Sequence, residues 1–475
     1  MPLHRYAIGL VLLLIPIHAF SAIINVPDDH TTIQEAVDAA SDGDTILIAD
    51  GVYSGTGNIG IQWDASIKHL VIMSENGRDH CIIDCMEEGR GFTLTNGQDH
   101  RDVIDGLTIT NGNGVNAGGA VLIDATSPRI INCTLVNNTA FGDMDFYYGG
   151  GAIMVSGNAN PVIQGNIIRG NYAGHGGGGI SFSKGAAGVV ENNIIDSNET
   201  HGEGGGIAHY YNSNPLIINN LIINNFSRGH IGGGIFTSIS NPSIINNTIA
   251  YNTTYIEYYP GLGGGIGIDG EPYPVIRNCI IWYNIASHHA MNIQFPLKSW
   301  LDISYCNVEN DLGHIFDLKP HTNIDSLPAF VDPENGDFSL SWNSPCINKG
   351  TPDTTGLYLP SSDLAGNDRI YEDIVDIGAY ESQHSTSSPE LLDGEGFRVY
   401  PNPGSGMYIL ECLQDKHEDL LVEIHGVNGE RVYEIQPGGD TEIIPIDLSM
   451  LPGGIYFVTV YSKGQVLFRQ KVIKV

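Results

Sequence analysis

The sequence predicts an all-β chain: a solenoid of short stacked parallel strands over most of its length, then a small antiparallel sandwich. Three observations carry this. The 475 residues include 60 glycines and only 16% charged side chains, a balance that favours short strands and frequent turns over helices. Four segments align without a gap at an offset of 27 residues: VIQGNIIRGN from Val162, VVENNIIDSN from Val189, LIINNLIINN from Leu216 and SIINNTIAYN from Ser243. Near the C-terminus, apolar and polar residues alternate around turn pairs such as Asn428-Gly429, the mark of antiparallel hairpins.

Residues 1–21 carry Arg5, an apolar run from Ala7 to Ile17 and then Ala19-Phe20-Ser21, which reads as a secretory signal peptide cut after about Ser21. The run is too short to span a bilayer, and no later segment reaches about 18 unbroken apolar residues, so no transmembrane segment is expected in the exported chain. Next, Thr31 reads as a helix N-cap with Gln34 three residues on, and Ile33, Ala36, Val37 and Ala40 make one apolar helical face. This short helix plugs the open end of the solenoid, which occupies residues 22–330. Less regular copies, RIINCTLVNN from Arg129 and VIRNCIIWYN from Val275, extend the set, and Gly-rich starts precede the copies at Gly118, Gly149, Gly176, Gly204, Gly232 and Gly263. One coil therefore reads as a Gly corner, a short strand, a turn and a second apolar strand. Such a unit cannot bury its apolar side alone, so neighbours stack at about 4.8 Å. Stacking predicts one ladder of Ile167, Ile194, Leu221 and Thr248, and another of Asn171, Asn198, Asn225 and Asn252 whose amides bond along the axis. Residues 382–396, rich in Ser, Pro, Glu and Gly, read as a linker, and residues 397–475 as the sandwich.

The repeat, together with the opening IINVPDDHTTIQEAVDAASDGDTILIADGVY from Ile23, resembles the right-handed parallel β-helix of the pectin-lyase-like group, the opening being similar to its N-terminal cap. FVDPENGDFSLSWNSPCINKG from Phe330 and DLAGNDRIYEDIVDIGAYE from Asp363 resemble the tail that closes such helices. This implies that residues 331–381 form the C-terminal cap, in which a buried Arg369 pairs with Asp363 or Asp376. The last domain resembles the type A C-terminal sorting domain of the type IX secretion system of Bacteroidetes, through Tyr400-Pro401-Asn402-Pro403, Gly426-Val427-Asn428-Gly429, Leu451-Pro452-Gly453-Gly454-Ile455-Tyr456 and Lys471-Val472-Ile473-Lys474-Val475. That resemblance implies engagement of the type IX machinery, passage across the outer membrane and removal of the domain, with release or attachment to surface lipopolysaccharide. The alternative is an Ig-like adhesion module that stays on the chain.

With 54 acidic against 21 basic residues and a formal charge of −33, no basic cluster tracks a phosphate backbone, and nucleic acid is excluded as a partner. Seven scattered cysteines, Cys81, Cys85, Cys133, Cys279, Cys306, Cys346 and Cys412, do not make a disulfide framework and are expected to be mostly buried small apolar residues.

Candidate site residues gather at the Gly-rich corners. His175, His201 and His230 precede the Gly runs and are expected in a row on neighbouring coils, with Glu203 and Arg228 between. Two long corner loops flank them, one with Asp143, Asp145, Tyr147 and Tyr148, the other with Tyr255, Tyr258 and Tyr259. Aromatic walls over a polar floor suit a polysaccharide or surface glycan. Catalysis by a polysaccharide lyase or glycoside hydrolase is the alternative, and a structural adhesin without a glycan site is another. Gly174-His175-Gly176 matches the Gly-His-Gly turn of polygalacturonase-like members, but their Asn-Thr-Asp, Asp-Asp and Arg-Ile-Lys motifs are missing in the required order. A lyase of the pectate-lyase kind needs a Ca²⁺ cluster, for which Asp143, Asp145 and Glu203 are the candidates, and a base, for which Arg228 is. Three histidines on a rigid ladder do not converge tetrahedrally, so zinc is not expected.

Overall fold

The computed structural model describes residues 21–141, 149–229, 231–255, 261–270, 273–287, 292–295, 302–309, 322–383, 397–412, 420–426, 429–437, 443–462 and 465–475. Among the described residues, four parallel sheets of 11, 10, 7 and 8 strands follow the coils, and antiparallel sheets follow in the C-terminal region. The chain forms two compact units, one of residues up to Val189 with Ser197–Gly202 and Ile207–Asn214, the other of Val190–Asp196, Glu203–Gly206 and Pro215–Val475.

In the first unit the only α-helix among the described residues spans Ile33–Ala39, and its buried face is Ile33, Ala36 and Val37. Thr32, not Thr31, is the N-cap: its hydroxyl accepts the Glu35 N–H while the Glu35 carboxylate accepts the Thr32 N–H. The start shifts by one residue because Glu35, rather than Gln34, reaches back to close the capping box. At the other end the Lys68 ammonium donates to the carbonyls of Val37, Asp38 and Ala40 at 2.5, 3.1 and 3.0 Å, filling orphan acceptors at the negative pole of the helix.

A regular coil holds four strands rather than two. VIQGNIIRGN is not one strand: Val162–Gln164, Ile167–Arg169 and Tyr172–Ala173 are separated by Gly165 at φ 67° and Gly170 at φ 64°, and Ile180–Phe182 follows the Gly corner. Asn192, Asn219, Asn224 and Asn246 take the same left-handed conformation in later copies, which Asn tolerates better than other side-chain-bearing residues. Each such residue precedes a buried position, most often asparagine. Within the first unit Asn138 Nδ2 donates to Asn171 Oδ1 at 3.0 Å and Asn171 Nδ2 to Asn198 Oδ1 at 2.9 Å. Within the second, Asn225 bonds Asn252 at 2.9 Å, and a parallel ladder runs from Asn193 through Asn220 to Asn247 at 2.9 and 3.0 Å. The apolar register is as the repeat predicts: Thr134 lies opposite Ile167 in one unit, and Ile194, Leu221 and Thr248 are in line in the other.

The cysteines are free and all but Cys412 are buried. Three of them take asparagine positions in the ladder. Asn247 N–H points at Cys279 Sγ at 3.5 Å, Cys279 N–H at Cys306 Sγ at 3.3 Å, and Cys133 N–H donates to Asn166 Oδ1 at 2.8 Å. Burial pushes the Cys133 thiol up to about 12, so it stays protonated and unreactive.

The tail of the second unit lies on the outside of the coils. Phe338 packs with Leu221, Ile223 and Ala250, Ala379 N–H donates to Thr248 Oγ1 at 3.1 Å, and Asn246 Nδ2 donates to the Asp376 carbonyl at 3.0 Å. Arg369 is buried as expected, but its partners differ. Its Nη2 donates to the carbonyls of Asp376 and Gly378 at 3.1 and 2.9 Å and lies 3.7 Å from a Glu381 carboxyl oxygen. The Asp363 and Asp376 carboxylates are instead spent on backbone N–H groups, of Ala365, Asn367 and Glu381 in one case and of Asn348 and Ser382 in the other. Burial pushes the Glu381 carboxyl up to about 8 and that of Asp376 to about 6.

The C-terminal domain pairs a three-stranded sheet, Phe397–Tyr400, Met407–Cys412 and Ile443–Asp447, with a four-stranded one, Leu420–Gly426, Arg431–Ile435, Gly454–Ser462 and Gln465–Lys474. Residues alternating along these strands, among them Val399, Leu410, Ile424, Ile446, Val458 and Phe468, form its buried core. Gly429 at φ 79° lies in the connection between Leu420–Gly426 and Arg431–Ile435, where a left-handed residue is required.

Candidate carbohydrate face and relatives

The seven-stranded sheet is made of two-residue strands that run straight into the Gly corners. In the first unit Asn113, Thr139, Tyr172 and Glu199 are in register, and the residues after them, Gly114, Ala140, Ala173 and Thr200, are buried. Strand alternation therefore turns Tyr172 and Glu199 outward. A second outward row follows: Gly174 N–H donates to the Ala140 carbonyl at 2.8 Å and His201 N–H to the Ala173 carbonyl at 3.0 Å, which aligns Phe141, Gly174 and His201. His201 is exposed and meets the Tyr172 ring edge-on, centroids 5.6 Å apart; Phe141 is 57% exposed.

In the second unit the same sheet turns out Phe226, Thr253 and Ile285. Tyr255 N–H donates to the Ser227 carbonyl at 3.1 Å, so Tyr255 aligns with Arg228 in the next row. The exposed Arg228 guanidinium lies 5.3 Å from the Phe226 ring centroid, a cation–π contact, and Tyr255 is 54% exposed. Each unit thus presents a short face with an aromatic ring beside a polar or charged group.

Among the described residues, His175 and His201 do not share a row. Moving 27 residues from His175 reaches Gly202, and a Cβ on Gly202 would lie 3.2 Å from His175 Cα; His201 aligns with Gly174 instead. The two imidazoles are one step out of register. His175 is half-buried and its carbonyl packs against Gly149, where a Cβ would meet that oxygen at 1.6 Å. Glu203 is half-buried. Asp143, Asp145, Tyr147, Tyr148, His230, Tyr258 and Tyr259 lie outside the described residues. Tyr172, Glu199 and Phe226 were not singled out from the sequence, although their 27-residue spacing just before each Gly corner marks them.

Among the described residues the one group of three side chains spaced to hold a metal ion is His69, Asp99 and Asp102, in the first unit and apart from these rows. Its chemistry is already satisfied. Asp102 accepts Trp63 Nε1, Leu70 N–H and Asp99 N–H at 2.9, 3.0 and 2.9 Å, and contacts His69 Nδ1 at 2.7 Å. Arg101 grips both oxygens of Asp99 and holds its carboxyl well below the usual carboxylate range. A carboxylate neutralised by arginine is a poor cation ligand, and the group reads as a tie between loops.

Residues 69–236 match the family model described as right handed beta helix region, and residues 398–474 match the secretion system C-terminal sorting domain. The fold is a right-handed parallel β-helix, and the region after it matches a sorting domain. No curated protein matches this β-helix protein. Among solved structures it is similar to the PL6 family alginate lyase AlyGC, at 14% identity and a TM-score of 0.30, covering 61% of this chain and 47% of that one. An arginine-to-alanine mutant of the same enzyme aligns at 12% identity and a TM-score of 0.31, covering 81% and 60%. The β-helix protein thus spans about half the length of the first of these structures. No helix among its described residues is long and apolar enough to cross a membrane, and its sorting domain directs it to secretion or the outer surface.

Proposed function

We propose that this exported β-helix protein binds polysaccharide or glycoconjugate along the outward rows of its seven-stranded sheet. The observation that supports the reading is the pairing of an aromatic side chain with a polar neighbour in both units: Tyr172 beside His201, and Phe226 beneath Arg228 with Tyr255 in the adjoining row. A pyranose offers an apolar C–H face to a ring and hydroxyls to imidazole, carboxylate or guanidinium. Strands repeating at about 4.8 Å suit a linear polymer better than a single sugar. In this reading residues 1–21 direct export to the periplasm, and residues 397–475 engage the type IX machinery and are then removed, leaving the solenoid released or attached at the cell surface.

The test is retention of the chain on a panel of neutral and uronic-acid polysaccharides, with unsaturated products and reducing ends followed in the same samples. Retention without turnover supports binding. Turnover replaces it with the lyase or hydrolase reading, and neither leaves the adhesin.

A further inference from the structure

The turn Leu340–Ser344 projects one large side chain, Trp342, from a rigid base. Ser341 N–H donates to the Ala329 carbonyl at 3.0 Å, Ser344 N–H to the Ser341 carbonyl at 2.9 Å, and Ser344 Oγ to the Pro328 carbonyl at 2.5 Å. Leu340 and Cys346, on either side, are buried. The Arg469 guanidinium of the sorting domain lies 4.7 Å from the Trp342 ring centroid, and the His425 ring meets Trp342 edge-on at 6.2 Å.

The outer face of the four-stranded sheet has a matching signature. His425 and Thr459 alternate along their strands with the core residues Ile424 and Val458, so they point away from the domain's own core. Yet they are 8% and 1% exposed. Arg469 Nε donates to Thr459 Oγ1 at 3.0 Å, which fixes the guanidinium over the indole. Beside this contact Gly429 approaches Asn343 so closely that a Cβ would lie 1.5 Å from its Nδ2.

We propose that the Trp342 turn is a docking surface whose partner is the chain's own sorting domain, with Trp342 clamped between Arg469 and His425. A contact built on one ring and one cation is weak between free partners. The two are joined by the linker of residues 382–396, however, and a short linker supplies an effective concentration in the millimolar range. The sorting domain is therefore docked while the linker is whole and leaves when the linker is cut, and its departure uncovers Trp342 on the secreted solenoid.

The experiment is disulfide trapping in the full chain carrying Asn343→Cys and Glu430→Cys, which spares Gly429 because its φ of 79° strains any side chain there, with Cys412→Ser to remove the half-buried native thiol. Under mild oxidation the trap closes. Adding Trp342→Ala, or separately Arg469→Met, slows closure by roughly two- to tenfold, the range expected for losing a partly desolvated cation–π contact. Absence of the disulfide, or closure at one rate in all versions, overturns the proposal.

Discussion

Replacement of Asn220 by alanine probes the ladder that holds the coils in register. The Asn220 Oδ1 accepts the backbone and side-chain N–H groups of Asn193, both at 2.9 Å. Its Nδ2 donates to Val190 O, Ile218 O and Asn247 Oδ1 at 2.8, 3.0 and 3.0 Å. Two N–H bonds shared among three acceptors, with two more accepted, amount to about four full hydrogen bonds. At about 1 kcal/mol net each the loss is about 4 kcal/mol, and leaving the buried Asn193 N–H without its acceptor adds to it. Against a usual stability of about 5–15 kcal/mol this is a large fraction. Asn220→Cys is the informative control, because the fold already uses cysteine at this position in the last coils, where Cys279 and Cys306 receive backbone N–H groups. Urea unfolding followed by circular dichroism, with amide exchange at Asn193, reads both variants. The expected order is wild type, then Asn220→Cys, then Asn220→Ala. An alanine variant within about 1 kcal/mol of wild type, with Asn193 still protected, would refute the ladder as a source of stability.

Lys68→Met removes the ammonium from three helix-end carbonyls and is expected to cost about 1–2 kcal/mol locally, seen as faster amide exchange over Ile33–Ala40 with the coils unaffected. Asp102→Ala strands the buried Trp63 Nε1 and the backbone N–H groups of Leu70 and Asp99. A loss of about 3–5 kcal/mol, with a red-shifted Trp63 emission, is expected, and unchanged emission would count against the tie. The tail gives a pH dependence. Because the folded carboxyl of Glu381 sits at about 8 rather than its usual 4.5, the folded state binds the extra proton, so this contribution is full below about pH 4.5 and is lost as pH rises through 8. Asp376, at about 6, acts in the same direction over a lower window. The melting temperature should fall between pH 6 and 9, less steeply in Glu381→Gln, and a rising curve would contradict the burial argument.

The solenoid was legible because its repeat is written in residues that only stacking satisfies: Asn171, Asn198, Asn225 and Asn252 recur at one spacing, and buried amides need one another. Four strands per coil were harder to read, since the bends at Gly165 and Gly170 leave the apolar run unbroken in sequence and act only through φ. His175 and His201 miss a common row by a single residue, which in a strand moves a side chain to another row and face. Arg369 was rightly read as buried, but Asp363 and Asp376 are both spent on backbone N–H groups that sequence spacing does not reveal. The His69, Asp99 and Asp102 group left no local signal, because its members come from turns about one coil apart.

The central claim, that the outward rows of the seven-stranded sheet carry glycan, is tested most directly by titrating the intact chain and a Tyr172→Ala/Tyr255→Ala variant with the polysaccharide that retains best. Both side chains are outward-facing, so the variant is expected to keep the wild-type melting temperature. The account predicts saturable binding by the wild type and a loss of at least tenfold in the variant, since each stacked ring is worth about 0.5–1.5 kcal/mol beyond its buried area. Equal affinity in the two proteins would contradict it.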